Sequence, residues 1–205
     1  MKTYILLDRS GSMSVQWKET VDAINSYVKK LKGKQDICLM LFDSIGDVPH
    51  FEIVCDGSKS KWKKIDAKKF PPRGRTPLND AIAHMSFKML REHHDRAVFV
   101  VMTDGYENSS TTWNLKTTNA VLDEVKMRDY QIVFLGANFD DIKEQATSYG
   151  VSSLKRGIVS NDIGSTYSIL ADKVNDYATS SATDSETLAA TMDWSDQEQF
   201  VAKGK

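Results

Sequence analysis

Disulfide staples, membrane-length apolar runs and an excess of one charge are all missing from this chain of 205 residues. Its only cysteines, Cys38 and Cys55, both lie inside strand-like apolar runs. That scarcity excludes a disulfide-built scaffold and leads us to expect reduced core thiols in a cytoplasmic protein. No stretch approaches the roughly 18 apolar residues that a membrane-spanning helix needs, and the opening MKTYILLD lacks the layout of a cleaved leader. A net charge of −1 and a hydrophobic content of 40% give no sign of a nucleic-acid binder or a disordered acidic chain. Also absent are the G-x-S-x-G and G-x-x-x-x-G-K-[ST] patterns of common hydrolases and nucleotide-binding loops.

What charge there is lies unevenly. The stretch from Lys59 to Arg75 is dense in lysine and arginine with Asp66 as its single acid, whereas the chain from Asp162 onward is mostly acidic. The length suits one domain of about 150–200 residues plus a tail.

Apolar runs alternate with amphipathic segments. Lys2–Leu7, Asp36–Phe42, Ala97–Met102 and Gln131–Leu135 read as buried strands, with Val48–Cys55 as an antiparallel neighbour. A last short strand is expected at Val151–Leu154 or Arg156–Val159. Helices are expected over Trp17–Leu31, Pro77–Arg91, Thr117–Asp129, Ile142–Tyr149 and Ile163–Ala178. The alternation predicts an α/β, doubly wound, Rossmann-like domain over residues 1–178. Its central sheet is mostly parallel with one antiparallel edge strand and has helices on both faces. Residues 179–205 read as an acidic tail of low intrinsic order with a short helix near its end.

Sheets of this kind bind ligands at the carboxyl ends of their strands. The run DRSGS follows the first strand and places Asp8, Ser10 and Ser12 on alternate residues. Two further segments, RGRTPL with Thr76 and TDG with Asp104, flank other predicted elements. Hydroxyls and a few carboxylates are what a hard cation such as Mg²⁺ accepts, since it wants about six oxygens and dehydrates reluctantly. Taken singly, Ser10, Ser12 and Thr76 could equally cap helices, and Asp104 could simply open an Asp-Gly turn.

Together, DRSGS, RGRTPL and TDG resemble the complete metal-ion-dependent adhesion site (MIDAS) of von Willebrand factor type A (vWA) domains, in particular the stand-alone intracellular vWA proteins of bacteria and their phages. The resemblance spans about residues 2–178. It implies that Ser10 and Ser12 bind the metal directly and Asp8 mostly through water, with Thr76 and Asp104 exchanging the two kinds of contact. It also implies Mg²⁺, with Mn²⁺ or Ca²⁺ as substitutes, and a binding module rather than an enzyme, whose protein partner supplies an Asp or Glu side chain as the last ligand. Neither nucleic acid nor membrane is an expected partner. The chain departs from the family pattern in carrying Arg9 and Arg75, which we expect to add positive charge to the rim.

Two other readings compete. One is a Mg²⁺-dependent hydrolase or phosphotransferase, which a turnover assay would reveal. The other is self-assembly or autoinhibition, in which Glu186, Asp193, Asp196 or Glu198 of the acidic tail supplies the carboxylate.

Overall fold

The apolar run after Lys2 forms β1 (Lys2–Asp8), which has parallel neighbours on both sides and is buried along its whole length because helices cover both faces of the sheet. A computed structural model describes residues 1–136, 139–151, 157–159 and 162–194. The other strands are β2 (Asp36–Ile45), β3 (Val48–Ser58), β4 (Ala97–Met102), β5 (Gln131–Gly136) and β6 (Gly157–Val159). They form a six-stranded sheet in the order β3-β2-β1-β4-β5-β6. Only β3 runs antiparallel, joined to β2 by a tight hairpin. Residues 152–154 of the alternative last strand lie outside the described residues.

Alternate residues of β1 face opposite cores. Ile5 and Leu7 meet α1 (Trp17–Lys30) and α5 (Ile163–Thr179), while Tyr4 and Leu6 meet α2 (Leu78–Glu92) and α3 (Leu115–Lys126). Helix α1 forms because Trp17, Val21, Ile24 and Val28 recur at helical spacing and are all buried. Helix α2 begins at Leu78, one residue later than expected, with Pro77 as its cap residue. Helix α4 (Phe139–Ser148) precedes β6.

Within the acidic tail a short helix α6 (Ser185–Ala190) forms, capped by Asp184. Leu188, Met192 and Trp194 are buried in the same core as α1 and α5. Isolated aromatics in a polar sequence carry no periodicity, so this docking is a tertiary effect that local pattern does not reveal. Asp196, Glu198 and Phe200 lie outside the described residues.

The order of the sheet reverses between β1 and β4, whose parallel strands lie side by side. This is the topological switch point at which doubly wound sheets form ligand sites. Asp8 ends one of these strands and Asp104 follows the other within two residues.

Candidate metal centre

The first loop is built around a buried carboxylate. Asp8 is fully buried; its Oδ1 accepts from the Ser10 N–H at 2.6 Å and its Oδ2 from the Thr103 hydroxyl at 2.7 Å. The Ser10 and Ser12 hydroxyl oxygens are 3.1 Å apart, and Ser12 Oγ donates to Asp104 Oδ1 at 2.7 Å. Neither serine caps a helix: Ser10 precedes the 3₁₀ turn Gly11–Val15 without a side-chain cap bond, and α1 has Gln16 at its cap position. Hydroxyls that could have satisfied helix ends are instead turned toward each other and toward Asp104.

The second loop is pressed against the first. Gly11 N–H donates to the Gly74 carbonyl at 3.2 Å and Arg73 N–H to the Arg9 carbonyl at 2.8 Å. Gly74 has a φ of +66°, and a Cβ there would lie 2.0 Å from the Ser44 carbonyl oxygen. Glycine is therefore required for both conformation and space. Two residues on, Thr76 is buried, and its hydroxyl does not cap α2 either.

The third loop closes over Thr76. Asn108 N–H donates to the Thr76 carbonyl at 3.1 Å, and its side-chain Oδ1 accepts from the Thr76 N–H at 2.9 Å. A Cβ on Gly105 would lie 3.3 Å from Thr76 Oγ1 and 3.7 Å from Ser12 Oγ. The space in front of Gly105 is thus the meeting point of hydroxyls from loops one and two. The structure brings all the expected residues together: Asp8, Ser10, Ser12 and Asp104 in one hydrogen-bonded chain, with Thr76 facing the same hollow.

Burial pushes the Asp8 carboxyl up to about 7; the hydrogen bonds from Thr103 and Ser10 oppose this rise, and the charge of nearby Asp104 adds to it. A carboxylate so placed is short of positive charge. Arg9 does not supply it, contrary to expectation. Its guanidinium is buried and turned to Asp43, with Nε at 2.6 Å from Oδ2 and Nη1 at 2.9 Å from Glu52 Oε2. Arg73 shares Asp43 at 2.9 Å. Arg75 keeps an exposed side chain, 3.8 Å from Asp47. The donor set of carboxylates and hydroxyls is all oxygen, and the charge it lacks is what a hard divalent cation brings. The residues present therefore fit the metal.

Several contributors escape sequence reasoning. Thr103 anchors Asp8, and its only local signal is a polar residue ending an apolar strand. Asp43 and Ser44 at the end of β2 hold the first two loops, Ser44 Oγ accepting from the Arg75 N–H at 2.8 Å. Glu107 accepts from the N–H groups of Asn79, Ser109 and Ser110, and Asp80 from those of Thr111, Thr112 and Trp113. These two carboxylates pin the third loop to the start of α2. The lysine-rich segment starts at the amino end of β2, away from the carboxyl-end loops, where Lys59 N–H donates to the Gln35 carbonyl.

Comparison with known proteins agrees with this architecture. Among solved structures, the pilus adhesin SpaC of Lactobacillus rhamnosus GG, in an open conformation, aligns with a TM-score of 0.67 and 11% identity, over 86% of this chain and 30% of its own. The vWF domain of the type V pilus tip protein Mfa5 of Porphyromonas gingivalis aligns with a TM-score of 0.66 and 11% identity, over 89% of this chain and 97% of its own. Proximal thread matrix protein 1 of the mussel byssus gives 0.62 and 14%, over 86% and 45%. This chain thus spans less than half the length of SpaC and of the mussel protein, and at such identities the likeness is one of fold. No curated protein sequence matches it. The family model for the von Willebrand factor type A domain matches residues 3–153, and the chain belongs to that family.

Proposed function

We propose that this protein is a metal-dependent protein-binding module, in which Asp8, Ser10, Ser12, Thr76 and Asp104 hold a divalent cation that takes an acidic side chain of a partner as a further ligand. The observation that carries this reading is the Ser12–Asp104 hydrogen bond at 2.7 Å, with Thr76 Oγ1 facing the same hollow. It joins side chains from loops more than ninety positions apart at the carboxyl ends of the neighbouring central strands β1 and β4. When bound, the cation supplies an electrophilic coordination position; because the hydroxyl ligands are neutral, much of its charge stays available to an incoming carboxylate. The residues of the chain orient these donors and hold Asp8 away from water. A form of the mussel thread protein described with a zinc-occupied MIDAS motif aligns at a TM-score of 0.55 and 17% identity, which supports a metal role for this region of the fold. We take Mg²⁺ as the resident ion, with Mn²⁺ or Ca²⁺ able to replace it.

The tail is a poor source of the docking acid as far as it is described. Ser185 Oγ donates to Asp129 Oδ1 at 2.5 Å, which puts neighbouring Glu186 near the start of β5. The site lies at the opposite, carboxyl ends of the strands, roughly 20 Å away along strands the length of β1. Calorimetric titration of Mg²⁺ and Mn²⁺ into the wild type and Asp8→Ala tests the metal; capture of partners with and without chelator tests the docking. No metal binding, or binding that survives Asp8→Ala, overturns the proposal. Metal-dependent turnover of phosphate esters that is lost in Asp8→Ala would replace it with an enzyme.

A further inference from the structure

Thr76 is the one expected ligand whose side chain makes no hydrogen bond to the Asp8–Ser10–Ser12–Asp104 chain. Something else must aim it. Its backbone is gripped on both sides by one residue of the third loop: Asn108 donates its N–H to the Thr76 carbonyl at 3.1 Å and accepts the Thr76 N–H on Oδ1 at 2.9 Å. The pair of bonds fixes the peptide units before and after Thr76, and with them the direction of its Cα–Cβ bond.

The grip is effective only if Asn108 itself is held, and it is. On one side Glu107 accepts from Asn79 N–H at 2.7 Å and from Ser109 and Ser110 N–H at 2.8 and 2.7 Å. On the other, Asp80 accepts from Thr111 N–H at 2.9 Å and Trp113 N–H at 2.7 Å. Two carboxylates thus brace the loop to α2, Glu107 directly before Asn108 and Asp80 through Thr111 and Trp113 beyond it. The side chain of Asn108 is exposed and belongs to neither core, so packing alone does not account for its placement.

Resting on the metal reading above, we propose that Asn108 is a positioning residue of the metal centre. It sets the direction of the Thr76 hydroxyl and makes Thr76 and Asp104 parts of one rigid loop pair. Removal of its side chain leaves Thr76 N–H without its partner and frees the backbone that aims the Cα–Cβ bond and its hydroxyl, and the entropy of re-ordering it is then lost on metal binding. The effect passes through Thr76 and through no other ligand, which gives it a distinctive signature.

The test is Mn²⁺ titration of the full chain, read by the paramagnetic resonance of free Mn²⁺, with metal-free melting temperature as the control. Asn108→Ala is expected to weaken Mn²⁺ binding about tenfold while the metal-free melting temperature falls by only about 2–4 °C. Asn108→Asp, which keeps the acceptor oxygen, is expected to bind at least as tightly as the wild type. In a Thr76→Ala background, Asn108→Ala should cause no further loss. Wild-type affinity in Asn108→Ala, or an equal loss in the Thr76→Ala background, overturns the positioning role. Failure of the metal reading itself looks different: the wild type then takes up no Mn²⁺, or takes it up equally after Asp8→Ala.

Discussion

Thr103 Oγ1 donates to Asp8 Oδ2 across 2.7 Å, from the end of β4 to the end of β1. The same hydroxyl oxygen accepts from the Gly105 N–H at 3.2 Å, so one side chain fixes both the buried acid and the turn that follows Asp104. Thr103→Val keeps the shape and removes both bonds. It is expected to cost about 1–3 kcal/mol in urea unfolding and to weaken metal binding, whereas Thr103→Ser should retain both. Equal stability and affinity for Val and Ser would show that the hydroxyl is dispensable.

Gly74 sits with its Cα against the Ser44 carbonyl. Gly74→Ala combines a left-handed backbone with a steric overlap, and it is expected to cost at least about 2 kcal/mol. Chemical unfolding measures the loss, and metal titration should show loop two displaced from loop one by a fall in affinity.

Metal should stabilise the fold by mass action. At a free Mg²⁺ or Mn²⁺ concentration about a hundredfold above Kd, the gain is about 2.7 kcal/mol, readable as a rise in melting temperature. Ser12→Ala and Asp104→Asn are each expected to abolish most of that rise. Chelator should reverse it in the wild type and leave the variants unmoved.

Away from the site, Glu92 makes stability pH-dependent. Burial alone would raise its carboxyl, but hydrogen bonds from Lys2, Lys88 and Tyr4 outweigh burial and hold it down at about 2. An unfolded glutamate titrates near 4.3. Its folded value is the lower one, so its contribution is complete above about pH 5 and is lost as the pH falls through 4 toward 2. Glu92→Gln should therefore be less stable than the wild type at pH 7, by about 1–3 kcal/mol, with the gap closing in acid. A gap independent of pH would rule the linkage out.

Trp194 is only 5% exposed and shares a core with α1 and α5. Trp194→Ala is expected to cost about 3–5 kcal/mol, and deletion of residues 180–205 to destabilise the domain rather than trim a passive tail. Unfolding curves that superimpose on the wild type would show the docking of Trp194 to be dispensable.

The strands were legible because each is a run of apolar residues bounded by polar turns: Ala97–Met102 is read at its observed limits, and β1 differs only by including Asp8. Helix limits drifted where a helix starts ahead of its apolar pattern, as at Asn114, whose capping box with Thr117 starts α3 at Leu115. The proposed ligand residues stood out because the chemistry of a cation site would restrict them to oxygens at strand ends. Their supports did not. Asp43 meets Arg9 across 34 positions and Asn108 meets Thr76 across 32, and nothing local to either residue announces a partner so distant. Arg9 misled for that reason: beside Asp8 in sequence, it turns away from it in space.

The three loops are tied pairwise: one to two by Gly11 and Gly74, two to three by Thr76 and Asn108, and three to one by Asp104 and Ser12. A ring closed in this way does not fray from an end. Amide hydrogens at Gly11, Arg73 and Thr76 should exchange with solvent at a shared rate, as one cooperative opening unit, and a change that loosens any one tie should speed all three.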